Sequence, residues 1–88
     1  MVMYEAGMLA RSKAGHDKAK MYIIKEVDDT YVYLVDGRIR TLVHPKKKKK
    51  KHVQKTKKVC YNIKDMLDSE AYLLNADISK ALKEFGRK

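Results

Sequence analysis

Residues 21–37 read MYIIKEVDDTYVYLVDG and contain the two clearest strand signals in the chain. The first apolar run is Met21 to Val27, and the second, Thr30 to Val35, alternates aliphatic and tyrosine side chains. A period of two places alternate residues on opposite faces of a strand, with Val32 and Leu34 on one face and Tyr31, Tyr33 and Val35 on the other. The acidic pair Asp28-Asp29 separates the runs, so the stretch predicts two antiparallel strands joined by a tight turn.

The second run ends at Asp36-Gly37, a dipeptide favoured in two-residue hairpin turns because both central positions need positive φ. The sequence therefore predicts that residues 38–43 form the returning strand. On such a strand Arg38 and Arg40 would lie side by side on one face.

Upstream, Met8 to Ser12 predicts a weaker opening strand, and Ser12 to Ala19 a polar loop. Downstream, Pro45 lacks a backbone donor and should end the hairpin strand, so the lysine run is expected to lie in a loop, 45–52. We expect this loop to be disordered in the free protein and to become ordered on binding. His52 to Lys55 then fits a short final strand with Val53 pointing inward.

The period changes in the last third of the chain, where two short helices are predicted. Ile63 to Leu67 forms the first, with Asn62 as a possible N-cap. Asn75 is the expected N-cap of the second, Asp77 suits its first turn and Gly86 its end. Its apolar residues recur at i, i+3, i+4 and i+7: Ile78, Ala81, Leu82 and Phe85. Helices this short need packing partners, so these faces should pack on the sheet or on another molecule.

The net charge of +10 comes from one segment. Residues 44–64 carry ten lysines and no acidic side chain, whereas residues 1–43 contribute +1 and residues 65–88 contribute −1. Six consecutive lysines repel one another and attract polyanions irrespective of their sequence. The segment indicates nucleic-acid binding, and its alternatives are a solvated charge run, a nuclear-import signal or a membrane-surface patch.

Other function classes find little support in the sequence. Eighty-eight residues make one small domain, with little room for a deep catalytic cavity. There is no Ser-His-acid arrangement, frame of paired carboxylates or phosphate-binding glycine loop, and His16, His44 and His52 match no metal-ligand spacing. The single cysteine and the lack of a long apolar run favour a cytoplasmic protein outside the membrane. We therefore expect no enzyme activity, no cofactor, no metal and no small-molecule substrate.

Three features in order resemble the KOW motif. They are residues 7–20, GMLARSKAGHDKAK, followed by an apolar strand; the hairpin that ends at Val35-Asp36-Gly37; and Pro45 with the lysine run. The chain is similar in particular to KOW proteins related to eukaryotic-type large-subunit ribosomal protein fourteen, over about residues 6–55. One departure is Ala19, which stands where KOW motifs usually carry a glycine.

The resemblance implies a mainly β fold, with an SH3-like five-stranded barrel in residues 1–56. The helical periodicity adds a C-terminal extension in 57–88, about which the resemblance says nothing. The resemblance also implies a non-catalytic RNA-binding protein, with ribosomal RNA as the expected partner, ribosomal proteins as further candidates and association with the ribosome. Two alternatives remain open: a transcription- or nucleoid-associated factor, and an SH3-like protein-interaction module whose Ile78, Leu82 and Phe85 face docks on a protein.

The candidate RNA-binding residues come from the loop after the first strand, the arginine strand face and the lysine segment. Tyr31, Tyr33 and Tyr61 are candidate platforms for base stacking. The candidate contacts are Ser12, Lys13, Gly15, His16, Lys18, Lys20, Arg38, Arg40, Lys46, Lys47, Lys48, Lys49, Lys50, Lys51, His52, Lys55, Lys57 and Lys58.

Overall fold

The computed structural model describes residues 3–13, 20–69 and 73–86. They form five antiparallel strands followed by two helices, a mixed α/β arrangement. The strands pair in the order β4-β3-β2-β1-β5. Their bounds are β1 Met8–Ser12, β2 Met21–Val27, β3 Tyr31–Val35, β4 Lys46–Lys49 and β5 Val53–Val59, with a 3-10 turn at Lys50–His52, and the helices are α1 Tyr61–Asp68 and α2 Asn75–Gly86.

Four of the five strands are those predicted from the sequence. β1 and β2 have the predicted bounds, and β3 begins one residue later than expected, at Tyr31. β5 begins near the expected place with Val53 fully buried, but it runs on to Val59. The boundary expected between the barrel and the helical extension, between residues 56 and 57, thus lies inside β5.

The predicted strand over residues 38–43 is wrong. The Asp36 carboxylate accepts the backbone N–H groups of Arg38 at 2.8 Å and Arg40 at 2.9 Å, and the N–H of Asp36 itself donates to Arg40 O at 2.9 Å. These bonds close the chain into a turn and use the donors that a returning strand would offer to β3. The chain therefore reaches the sheet again only at Lys46.

The predicted lysine loop 45–52 is also wrong. The expected disorder of this segment in the free protein stays a prediction. Lys46 to Lys49 form strand β4, paired with β3 from Leu34 to Tyr31, and the next three residues form the 3-10 turn. Pro45 precedes a strand rather than ending one. Lysine can occupy such a strand because its aliphatic stem packs along apolar neighbours while the ammonium group reaches solvent.

Two hydrophobic cores lie on opposite faces of the sheet. The inner core is formed by the strands, with Tyr4, Val27 and Val59 packed against it, and contains Met8, Ala10, Tyr22, Ile24, Val32, Leu34 and Val53. The second core joins the sheet to both helices and contains Leu9, Ile23, Val35, Cys60, Ile63, Ile78 and Ala81. The expectation that the helix faces pack on the sheet is confirmed. None of the helices described within residues 3–13, 20–69 and 73–86 is long and apolar enough to cross a membrane.

Both helices begin differently from the prediction. α1 follows Cys60 rather than Asn62, with no side-chain cap. Asn75 lies inside α2, and its Oδ1 accepts the N–H of Leu42 at 2.8 Å, which ties the β3–β4 connection to the helix. Asp77 suits the first turn as expected, because its Oδ2 accepts the N–H of Leu74 at 3.0 Å.

Two glycines with positive φ mark the points where the helices approach the sheet most closely. Gly7 has φ +89°, and a Cβ added there would lie 2.6 Å from Lys64 Cβ in α1. Gly37 has φ +79°, and a Cβ there would overlap the Asn75 carbonyl oxygen and lie 2.8 Å from Ser79 N in α2. Each glycine is thus required for its backbone conformation and for space.

Gly37→Ala should destabilise the protein and loosen α2. The left-handed conformation costs an alanine about 1–2 kcal/mol, and the contact with backbone atoms of α2 adds to this cost. Chemical denaturation measures the loss of unfolding free energy. The neighbouring exposed Arg38→Ala is the control and should stay within about 0.5 kcal/mol of the parent protein. Equal stability of the two variants would contradict the close packing of Gly37 on α2.

Candidate nucleic-acid interface

The four lysines of β4 are divided between the two faces of the sheet. Pairing with β3 places Lys46 and Lys48 opposite two residues of the inner core, and both lysines are half-buried. Lys47 and Lys49 point to the other face and are exposed. The segment that looks uniform in sequence therefore has an inner pair and an outer pair.

One lysine of the inner pair, Lys48, is held against the end of β1. The Lys48 ammonium group donates a hydrogen bond to the Ser12 hydroxyl, and Ser12 is only 2% exposed. Burial, followed by the positive charge of Lys48, lowers the pKa of Lys46. Ser12, predicted as an RNA contact, therefore lies in the interior and orients a lysine instead of reaching the surface.

The outer pair lies opposite the tyrosines of β3 in the strand pairing. Lys47 Nζ lies 4.3 Å from the centre of the Tyr31 ring, a cation–π contact. The Tyr33 hydroxyl donates to Asp28 Oδ2 at 3.2 Å. Of the three tyrosines considered for base stacking, Tyr61 is the most open, with 68% of its surface exposed at the start of α1.

The 3-10 turn after β4 is anchored from three directions. The Lys50 N–H donates to Thr30 O at 3.0 Å, and its ammonium group to Asp29 O at 3.1 Å. The Tyr4 hydroxyl lies 2.9 Å from the carbonyl oxygens of both Lys50 and Val53, and its single proton is shared between them. Burial raises the pKa of this phenol, which keeps it a donor. The turn is a fixed feature of the surface.

The same turn meets the beginning of the loop that follows β1. The Lys13 N–H donates to His52 O at 2.9 Å, and Lys13, Lys51 and His52 are all exposed. The structure thus brings together two segments that the sequence analysis assigned separately to RNA binding. The predicted contacts Gly15, His16 and Lys18 lie outside the described residues.

β5 carries the remaining candidate lysines. Lys55 Nζ donates to the Met3 carbonyl at 3.0 Å, so this ammonium group is engaged within the protein. The pairing of β1 with β5 is irregular, and the Thr56 hydroxyl bonds the β1 backbone at 2.8 Å in that region. Lys57 and Lys58, on the irregular part, are exposed.

The predicted arginine strand face does not form. Arg38 and Arg40 lie in the turn organised by Asp36, which also forms an ion pair with Lys20 at 3.0 Å. Burial alone would raise the pKa of Asp36, but the Arg38 N–H, Lys20 and the Arg40 N–H outweigh it and hold this pKa below its ordinary value. Lys20 is thus partly committed to Asp36, and Arg38 remains exposed.

Two features of this region have no counterpart in the sequence prediction, the Tyr4 anchor and the Lys48–Ser12 contact, and a third, Asp36, was predicted only as a turn residue. Tyr4 stands outside every periodic segment, and Ser12 and Lys48 are 36 positions apart. Only Asp36 had a local signal, since aspartate commonly binds backbone N–H groups two residues further on.

The described residues contain no group of three or more His, Cys, Asp or Glu side chains arranged to hold a metal ion. Comparison with models of known protein families finds no match, and a search of curated proteins finds none with significant similarity. What the geometry offers chemically is a set of exposed ammonium groups on a rigid frame, suited to phosphate groups.

Asp36 should make stability depend on pH in the acid range. Because its folded-state pKa is lowered, the ionised carboxylate stabilises the fold above about pH 4, and this contribution disappears as the pH falls through the folded-state pKa. Asp36→Asn should lower the unfolding free energy at neutral pH by about 1–3 kcal/mol and flatten its acid dependence. Denaturant titrations from pH 2 to 7 provide the measurement.

Asp29→Asn is the matched control, since this side chain is exposed in the turn before β3. It should retain both the neutral stability and the acid dependence of the parent protein. If Asp36→Asn behaves like the control, the network around Asp36 does not stabilise the fold.

Proposed function

We propose that this protein is a non-catalytic RNA-binding module that binds ribosomal RNA or the ribosome. One observation carries the proposal: nine of the ten lysines in the acid-free segment 44–64 lie in β4, the 3-10 turn and β5, which follow one another directly along the chain. A run of charge without structure would offer only loose attraction. Here β4, the 3-10 turn and β5 give the backbone that carries these lysines a regular structure.

The strand connections support an SH3-like barrel. β4 and β5 stand at opposite ends of the pairing order, and only Lys50–His52 separate them. In a flat sheet, strands about 4.8 Å apart would put these edges about 19 Å from each other. Four Cα steps cover at most about 15 Å, and a 3-10 turn covers less. The sheet must therefore be curved enough for the linked ends of β4 and β5 to approach each other, which agrees with the closed barrel that the resemblance to KOW proteins implies.

The exposed lysines at the end of β4 and in the turn lie close to Lys13, whereas those of β5 lie towards its other end, where Val59 pairs with Met8. Lys47, Lys49 and Lys51 precede β5, Lys57 and Lys58 lie within it, and Lys13 is joined to the turn through His52. Each ammonium group that neutralises a phosphate releases a condensed counterion. The rigid backbone reduces the ordering cost that a flexible lysine run would incur on binding.

Binding should become less salt-dependent when the outer lysines are removed. For Lys47→Gln/Lys49→Gln, the slope of log K against log salt should fall in magnitude by about 1.5, because two phosphate contacts are lost. Lys80→Gln/Lys83→Gln on α2 removes the same charge from exposed positions elsewhere and is the control. Fluorescence anisotropy with a structured RNA gives the slopes. Equal slopes for both variants would contradict a role for β4.

Ultraviolet crosslinking in the protein's own cells, followed by sequencing of the recovered fragments, tests the partner. Reads concentrated at a few positions of ribosomal RNA are expected. Reads spread over messages, or no RNA at all, would overturn the ribosomal assignment. Competition between structured RNA and duplex DNA at fixed salt separates an RNA-binding module from a transcription or nucleoid factor, and structured RNA should compete more strongly.

A further inference from the structure

A second surface, distinct from the lysines, surrounds the connection between β3 and β4. Five large hydrophobic residues are exposed among the described residues, and three of them lie in this connection or just before α2. Ile39 is 74% exposed, Val43 78% and Leu74 46%. Single exposed aliphatic residues are ordinary, but a local group of them is characteristic of an interaction site.

The connection that presents these residues is held in place. Gly37 N donates to Arg40 O at 3.1 Å, alongside the hydrogen bonds made by Asp36, and Leu42 N donates to Asn75 Oδ1. Ile39 therefore sits at the tip of a closed turn braced against α2. A fixed apolar tip loses little conformational entropy when it is buried by a partner.

Beside Ile39 lies a shallow pocket between the start of β2 and α2. Half-buried Met21 and Leu82 give it an apolar lining, and Lys20, Arg38 and Lys83 provide its cationic groups. The acid in its lining, Asp36, is 6% exposed and already bonded to the turn and to Lys20. A partner therefore meets apolar side chains and positive charge.

The composition of this surface favours protein over RNA. Phosphates and sugars gain nothing from a protruding isoleucine, whereas the proposed RNA surface consists almost entirely of lysine. Arginine and methionine are enriched in protein interfaces, and lysine is depleted there. An apolar side chain from a partner could pack against Ile39, Met21 and Leu82, while carboxylates beside it meet Arg38 and Lys83.

We propose that this surface binds an acidic segment of another protein that carries an apolar anchor residue. The site is separate from the proposed RNA surface and goes beyond that function. It shares Leu82 with the helix face considered in the sequence analysis, but it is a different surface, because Ile78 of that face is fully buried against the sheet and unavailable to a partner.

Site-specific photocrosslinking in cells provides the test. The full chain carries p-benzoylphenylalanine in place of Ile39, or of Val43 in a second variant, and adducts are treated with nuclease and identified by mass spectrometry. The same group in place of Met3, which is 66% exposed and lines a different pocket, is the control. The expected adduct at positions 39 and 43 is a net-negative protein segment containing an apolar residue, absent at position 3.

The captured segment, made as a synthetic peptide, is then titrated against the protein. Ile39→Ser and the charge reversal Arg38→Glu/Lys83→Glu should each weaken binding at least tenfold, whereas Met3→Ser and Lys47→Gln/Lys49→Gln should change it less than twofold. Lys47 and Lys49 belong to the proposed RNA surface. The Lys47→Gln/Lys49→Gln variant should therefore affect RNA binding and not peptide binding, so that failure of one proposal can be told from failure of the other.

Four outcomes would overturn the inference: an adduct with RNA at position 39, no adduct above that at position 3, a captured segment of net positive charge, or peptide binding that survives the charge reversal. The substituted residues are exposed, and circular dichroism confirms that each variant remains folded before it is compared.

Discussion

A connection of three residues between strands at opposite ends of the pairing order constrains most of this structure. The chain can pass from β4 to β5 through Lys50–His52 only if the sheet is curved enough for the linked ends of these two strands to approach each other. The same turn receives the Tyr4 hydroxyl and donates from Lys50 N to Thr30 O, and its last residue accepts the N–H of Lys13. Consequently the N-terminal segment, the β2–β3 turn and the loop after β1 all converge on it. Lysines far apart in sequence become one surface through this turn.

The sequence predicts those elements in which apolar and polar side chains follow one another in a regular pattern. β1, β2, β3, β5 and both helices could be predicted because apolar residues recur at the period of a strand or a helix. β4 consists of four identical residues, so no alternation distinguishes a strand from a loop, and only its pairing with β3 identifies it. The residues after Gly37 do alternate, but Asp36 captures the N–H groups of Arg38 and Arg40, and this local competition prevents a strand.

The candidate site was predictable to the same limited extent. Charge is a property of composition, so the lysine segment was evident from residues 44–64 alone. The division of Lys46 to Lys49 into a half-buried pair and an exposed pair depends on pairing with β3, and the Lys48–Ser12 contact depends on the neighbouring ends of β1 and β4. Such contacts are tertiary, and no local pattern encodes them. The helices were predicted to pack on the sheet or on another molecule. Their close approach to the sheet depends on Gly7 and Gly37, which lie in separate turns, before β1 and after β3.

Lysines on an edge strand have a second use, because inward-pointing charges prevent the edge from pairing with another chain. Lys46 and Lys48 satisfy that need within β4. It does not account for Lys51, Lys57 and Lys58, which are exposed beyond this strand. On the proposed RNA-binding function, attraction of a polyanion accounts for these lysines as well, but such attraction is largely insensitive to sequence and therefore selects poorly among RNAs. The rigid turn that carries Arg38 and Ile39 should be selective instead, since an apolar anchor residue contributes affinity only where its shape matches that of the partner. On the proposed assignment, the lysines accelerate encounter with a large anionic assembly, and the turn at Ile39 determines where on that assembly the protein remains bound.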